Sequence, residues 1–173
     1  MRSSQHRLFA DYFQFYIQDE PAKGNLGEAW NREAVERMLA VIPGVVGIGT
    51  FRNWHVPVTL EVHDGEPEGD HSGWDHVVEC GLRVASGRIV IAGCTDYLPD
   101  AVRIEVTPGN YLVRVSFGAP TKLSDDGLDA DERYRVQLWP GPPIAPRVLV
   151  QRSPEQQPDP VIWNPAPGTP TTC

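Results

Sequence analysis

The sequence predicts a mainly β protein, a two-sheet antiparallel β-sandwich with one short amphipathic helix. Three observations lead to this fold class: apolar and polar residues alternate along short segments, turn-forming residues separate these segments, and only one segment has helical spacing. The chain has 173 residues, of which 40% are hydrophobic and 22% charged, so it can bury a core without metals or disulfides. Because each apolar strand face needs a second layer, a sandwich is favoured, although periodicity alone leaves a barrel open.

The alternation of apolar and polar residues is clearest in the run VPVTLEVH, where Val58, Leu60 and Val62 face one way and the polar residues face the other. Strands are predicted at 8–18, 45–51, 55–63, 75–84, 88–94, 101–107, 111–117, 133–139 and 147–151. Short turn signals, such as the segments ASG at 85–87 and TPGN at 107–110, separate neighbouring strands. Such short turns indicate antiparallel pairing.

One segment, residues 31–42, has the pattern of an amphipathic helix. Asn31 is a good N-cap, and Pro43 followed by Gly44 ends the pattern. The apolar residues recur at intervals of three and four: Ala34, Val35, Met38, Leu39 and Ile42. This stripe predicts a helix of about three turns that covers a sheet.

The composition changes near residue 140. Ten of the 17 prolines lie between Pro140 and Pro170, and proline removes backbone donors and cannot continue a central strand. We therefore predict one sandwich domain over residues 8–151, followed by a proline-rich flexible tail over 152–173.

Charge and cysteine content restrict the class of protein. The chain has 23 acidic and 15 basic residues, a formal net charge of −8, which disfavours coating of nucleic acid. No apolar run of membrane-spanning length and no secretory signal pattern is present in it, so we expect a cytoplasmic protein. The three cysteines, Cys80, Cys94 and Cys173, have spacings that match neither a zinc motif nor a redox motif. We expect no cofactor.

Two acidic segments are candidates for chemistry. The run HDGEPEGDHSGWDH contains His63, His71 and His76, but their spacing lacks an HxH or HExxH pair, so we predict no metal site there. The run SDDGLDADER, counted from its first acidic residue Asp125, has its glycine third rather than sixth, which does not fit an EF-hand calcium loop. The chain also lacks a GxSxG motif and a glycine-rich phosphate loop, so no catalytic residue is predicted and an enzyme is disfavoured.

The same two segments predict a surface for a basic partner, because concentrated carboxylates steer a positively charged protein into contact. Trp54 and Trp74 lie near predicted turns and are candidate anchors, since tryptophan is enriched at binding hot spots. The predicted partner-binding carboxylates are Asp64, Glu66, Glu68, Asp70, Asp125, Asp126, Asp129 and Asp131.

Several runs over residues 9–118 have a familiar order: DYFQFYIQD, WNREAVERM, GVVGIGTFRN, VPVTLEV and TPGNYLVRVSF. This order resembles the competence protein J family, whose best-known member inhibits a nuclease. The resemblance implies a small β-rich cytoplasmic protein that binds and blocks a nuclease or related toxin domain, and it offers no catalytic residues.

Three hypotheses therefore stand. The first is a non-enzymatic inhibitor or immunity-like partner of a basic protein such as a nuclease. The second is a small metal-dependent hydrolase that uses the region of His63, His71 and His76. The third is a small-ligand-binding sandwich in which Trp54 and Trp74 stack on the ligand.

Overall fold

The structure, a computed structural model, describes residues 1–126 and 128–153. It consists of two β-sheets and one short helix, which confirms the predicted fold class. The larger sheet has six strands in the spatial order β1-β5-β10-β9-β6-β11. Its strands are β1 (Arg2–Phe9), β5 (His55–Val62), β6 (His76–Val84), β9 (Gly109–Gly118), β10 (Arg133–Pro140) and β11 (Arg147–Val150).

The smaller sheet has five strands in the order β3-β4-β2-β7-β8, all antiparallel. Its strands are β2 (Gln14–Asp19), β3 (Leu39–Ile42), β4 (Val45–Gly49), β7 (Arg88–Gly93) and β8 (Val102–Glu105). The six-stranded sheet departs from the antiparallel prediction at one place, because β10 pairs in parallel with β5. Turn-forming residues indicate hairpins between strands that follow one another in the chain. They do not indicate this pair, because β5 and β10 are far apart in the sequence.

The core lies between the two sheets. One buried cluster joins inward side chains of the five-stranded sheet, such as Phe15 and Ile48, to those of the six-stranded sheet, such as Val113 and Val136. Cys80 is a free, fully buried member of this cluster, and burial raises the pKa of its thiol to about 12. It therefore packs as a small apolar residue.

The helix α1 spans Arg32–Arg37 only, so the predicted helix over 31–42 was too long. Asn31 is the predicted N-cap, and its side chain accepts a hydrogen bond of 3.0 Å from the amide of Ala34. The helix ends at Met38, which adopts a left-handed φ of 56°. The following apolar run pairs with β4 as a strand instead, an outcome that periodicity cannot distinguish from helix in so short a segment.

The strand predicted over 8–18 is in fact two strands in different sheets. β1 begins at Arg2, ahead of the predicted domain boundary at residue 8, and a 3₁₀ turn over Asp11–Phe13 separates it from β2. Tyr12 and Phe13 have left-handed φ values of 55° and 57° in this turn, which the alternating pattern does not reveal.

The C-terminal prediction is largely outside the described residues, because from residue 154 onward the predicted tail is not described. Cys94 is disulfide-bonded, and the cytoplasmic location stays a prediction. In the described part of the chain, every helix is too short or too polar to cross a membrane.

Candidate functional site

The two acidic segments form two loops at the six-stranded sheet. We call residues 63–75, between β5 and β6, the first acidic loop, and residues 119–132, between β9 and β10, the second acidic loop. All eight carboxylates predicted to bind a partner belong to exposed residues, and they are Asp64, Glu66, Glu68, Asp70, Asp125, Asp126, Asp129 and Asp131.

The first acidic loop crosses the outer face of the six-stranded sheet, the face directed away from the core. Its start is tied to β10, where the amide of His63 donates to the carbonyl of Leu138 at 2.8 Å. Its end is tied to β9, where the amide of Asp75 donates to the carbonyl of Phe117 at 2.9 Å. Because Phe117 pairs with Tyr134 at the beginning of β10, these two ties lie at opposite ends of the strands.

Arginines of the strands hold the first acidic loop against the sheet. The carboxylate of Glu66 lies 3.2 Å from a guanidinium nitrogen of the buried Arg114. The ring of Trp74 lies over the guanidinium groups of Arg133 and Arg135, at 4.6 and 4.8 Å from the ring centroid. The carboxylate of Asp70 accepts hydrogen bonds from Ser72, which lower its pKa. The negative charge of this loop is thus partly balanced by the strands beneath it.

The second acidic loop is organised mainly by its own hydrogen bonds. Leu123 and Ala130 form a bridge across it. The carboxylate of Asp131 accepts from the amides of Thr121 and Lys122 at 2.7 and 2.8 Å. A hydrogen bond from the Thr121 hydroxyl, together with these two amide bonds, lowers the pKa of Asp131 to about 2. The loop therefore presents its charges from a defined conformation.

A buried ion pair anchors the base of the second acidic loop, and sequence reasoning missed it. Arg52 lies 2.7 Å from the fully buried carboxylate of Glu132, and it also donates to the carbonyl of Leu128 at 2.7 Å. The Glu132 bond is the main reason that the pKa of Arg52 is raised. The sequence signal for this ion pair is the acidic run itself, because its last carboxylate, that of Glu132, directly precedes β10.

The structure brings some of the predicted residues together but not all of them. Trp54 precedes β5 and Trp74 precedes β6, and the second acidic loop connects the two strands that lie between β5 and β6. We call this surface, Trp54, Trp74 and the second acidic loop, the tryptophan-flanked end. Asp64 lies at the opposite end, 3.2 Å from the N-terminal ammonium group of Met1. The carboxylate of Asp75 joins the two loops by accepting from the amide of Ala119 at 2.8 Å.

Both tryptophans are partly exposed and also take part in packing. Trp54 meets Phe9 edge to face, with ring centroids 5.9 Å apart, and meets His55 at 5.4 Å. A cleft of about 440 Å³ lies nearby, and Arg7, Arg52 and Asp129 are among its lining residues. Neither tryptophan lines this cleft, so it does not support stacking of one small ligand between Trp54 and Trp74.

The three histidines of the metal hypothesis do not converge. His63 pairs with Glu61 at 3.0 Å on the sheet surface. His76 is buried, with its Nε2 donating to the carbonyl of Arg37 at 3.0 Å and its Nδ1 accepting from the amide of Arg152 at 3.3 Å. Burial lowers the pKa of His76. Within residues 1–126 and 128–153, no three His, Cys, Asp or Glu side chains are grouped to hold a metal ion.

A second feature missed from the sequence is a polar row across the outer face of the six-stranded sheet. Glu79 is fully buried there, 2.7 Å from Arg114 and 2.6 Å from Arg147. The guanidinium of Arg114 lies 4.8 Å from the centroid of Trp139. The sequence signal is a pair of opposite charges, Glu79 and Arg114, on the outward phase of two strands.

Comparison with solved structures gives two similar folds. The crystal structure of ComJ, inhibitor of the DNA degrading activity of NucA, from Bacillus subtilis, has a TM-score of 0.64 and 17% identity, covering 81% of this chain and 98% of that chain. A structure described as crocagin biosynthetic gene J has a TM-score of 0.55 and 19% identity, covering 82% and 98%. No protein-family model and no curated protein matches the sequence. At these identities the likeness shows the fold, and it confirms the resemblance to competence protein J as a structural one.

Proposed function

On the premise of a ComJ-like fold, we propose that this protein is a non-enzymatic inhibitor that binds a basic protein, a nuclease being the best candidate. The observation that carries the proposal is the tryptophan-flanked end, where exposed carboxylates on an internally bonded loop lie between two partly exposed tryptophans. ComJ is described as an inhibitor of a DNA-degrading activity. Fold alone does not transfer function, so the surface must supply the argument.

The chemistry of a nuclease explains why such a surface would inhibit it. A nuclease must hold phosphate, so its binding groove is basic, and carboxylates can occupy the places that phosphates take. The net charge of −8 would steer the encounter, which can raise association rates by about 10 to 10³-fold at low salt. An ordered loop loses less conformational entropy on binding than a flexible loop.

The proposal is tested by capturing partners from extract of the native cell at low and high salt, and then adding purified protein to a DNA-degradation assay of the captured nuclease. We expect stoichiometric inhibition that weakens as salt rises. The variant Asp125→Lys/Asp129→Lys should slow association by about 10-fold or more at low salt. Capture of no nuclease, or a captured nuclease that this protein fails to inhibit, would refute the proposal.

A matched control separates local from global charge. Glu28→Lys/Asp100→Lys changes the net charge equally at two exposed acidic residues that belong to neither acidic loop. Reversal of Asp64, Glu66, Glu68 and Asp70 to lysine tests the first acidic loop in the same assay. We expect the second-loop variant to lose more affinity than the control, which has the same net charge; equal losses in these two variants would mean that net charge, not a defined surface, governs binding.

A further inference from the structure

The outer face of the six-stranded sheet contains a group of polar side chains beneath the first acidic loop. Across β10 and β9, Arg135 lies opposite Ser116, and Gln137 lies opposite Arg114. These side chains alternate with core residues and therefore point away from the core. Ser116, Arg114 and Gln137 are nevertheless 0%, 3% and 4% exposed, a degree of burial typical of the protein interior.

Several polar atoms in this group have no hydrogen-bond partner. They are Arg114 Nη1, Ser116 Oγ, Arg135 Nε, His71 Nδ1 and Gln137 Oε1. In the part of the chain that the structure describes, five of the seven such buried side-chain atoms lie here. Arginine, serine and histidine side chains can all donate hydrogen bonds, and a buried donor without an acceptor is unfavourable. An oxygen atom with negative charge would satisfy donors of this group, whereas Gln137 Oε1 is itself an acceptor and needs a donor such as a protonated oxygen.

Arginines supply the positive charge of this group. Arg114 contacts Glu66 and the buried Glu79, and Arg135 lies beneath the ring of Trp74 and interacts with the carboxylate of Asp70. Glu66 keeps 67% of its side chain exposed while it contacts Arg114, so a carboxylate already reaches this face from a solvent-exposed position.

We propose that the face beneath the first acidic loop is a binding site for a small anionic group with phosphate or carboxylate oxygens. Arg114, Ser116 and Arg135 hold the anion, and Glu66 competes with it for Arg114. The site adjoins the tryptophan-flanked end, because the ring of Trp74 lies over Arg135, but its occupancy does not depend on the proposed inhibition of a nuclease.

The test uses the purified full chain without any nuclease, with inorganic phosphate in one arm and citrate in the other. Binding is measured by calorimetry and by the rise of Tm with anion concentration. Ser116→Ala and Arg135→Gln should each weaken binding, Arg135→Gln by about 10-fold or more, because hydrogen bonds to charged groups are the stronger kind. Glu66→Gln should tighten binding, because it removes the internal competitor.

Arg7→Gln is the matched control, since it removes an exposed arginine from another strand of the same sheet. Binding of only one anion supports the site and identifies whether phosphate or carboxylate is its source. If the wild type binds neither anion at millimolar concentration, or if Ser116→Ala, Arg135→Gln and Arg7→Gln behave alike, the proposal is overturned. Ser116→Ala deletes only a hydroxyl group, so it keeps the test decisive even if Arg135→Gln does not fold.

Discussion

The two acidic loops look alike as sequence but are fastened to the molecule in different ways. The first acidic loop is held by side chains of the strands, through Glu66 on Arg114 and Trp74 on Arg133. The second acidic loop is organised mainly by its own groups, with Asp131 accepting from two of the loop's amides, and Arg52 anchors only its base through Glu132. A count of carboxylates therefore does not describe the field that a partner meets. The groups that each carboxylate contacts decide how much of its charge is directed outward.

The largest expected effect concerns the anchors of the two loops. Glu132→Ala leaves Arg52 without its buried partner and should lower the free energy of unfolding by about 3 to 5 kcal/mol. Glu79→Ala, which removes the buried partner of Arg114 beneath the first acidic loop, should cost a similar amount. Urea unfolding measures both losses, and hydrogen exchange shows which loop loses protection.

The comparison predicts that each variant exposes the amides of its own loop first. If Glu132→Ala and Glu79→Ala deprotect both loops equally, the two loops form one cooperative unit and are not fastened independently. The double variant Arg52→Met/Glu132→Leu should recover much of the stability, because a buried pair replaced by apolar groups leaves no unpaired charge.

A smaller effect is expected in the pH dependence of the free energy of unfolding, which should differ between the two loops. His76 begins β6 directly after the first acidic loop, and burial lowers its folded-state pKa below the ordinary value of 6.5. As pH falls through 6.5, the unfolded chain takes up the proton first, so stability is lost from about that pH downward until the lower folded pKa is passed. His76→Gln should flatten this part of the profile. Urea midpoints between pH 7 and 5 measure it, and an unchanged slope would contradict the prediction.

The contribution of the second acidic loop to stability should change only at lower pH. The folded-state pKa of Asp131 is about 2, below its ordinary value of 3.8. Its contribution to stability is therefore complete above about pH 4 and is lost as pH falls toward 2. Asp131→Asn should show a shallower loss than the wild type over that range, measured by thermal unfolding at each pH. Asp125→Asn is the control, since it neutralises another exposed carboxylate of the same loop.

The smallest effect is expected at the contact between the first acidic loop and the sheet. Glu66 is largely exposed, and Arg114 keeps its bond to Glu79 when Glu66 is replaced. Glu66→Gln should therefore change the free energy of unfolding by less than about 1 kcal/mol. A loss above that value in urea unfolding would mean that the first loop is anchored as firmly as the second.

Local sequence pattern predicted most strands but could not assign them to sheets. The alternation of Val58, Leu60 and Val62 marks β5, and the inward phase of Val136 marks β10. The local sequence of either strand does not indicate that they pair in parallel, because the two strands are far apart in the chain. The run after Met38 illustrates the same limit, since its pairing with β4 overrides the helical spacing that precedes it.

The candidate site was predictable in composition but not in arrangement. The eight exposed carboxylates could be found because glycine, proline and acidic residues mark solvated loops. Their separation into two environments depends on Arg114 and Arg52, which lie in distant parts of the chain. Charges on the outward phase of strands, such as Glu79 in β6, are the sequence signal for this arrangement.

The position of β10 has a consequence for how the chain reaches this structure. It fills the gap between β5 and β9, although both neighbours precede it along the sequence. During synthesis on the ribosome, one hydrogen-bonding edge of β5 therefore stays unpaired until β10 has been synthesised. We expect slow, topology-limited folding and a nascent chain that depends on chaperones, because an open apolar edge invites intermolecular pairing until it is closed.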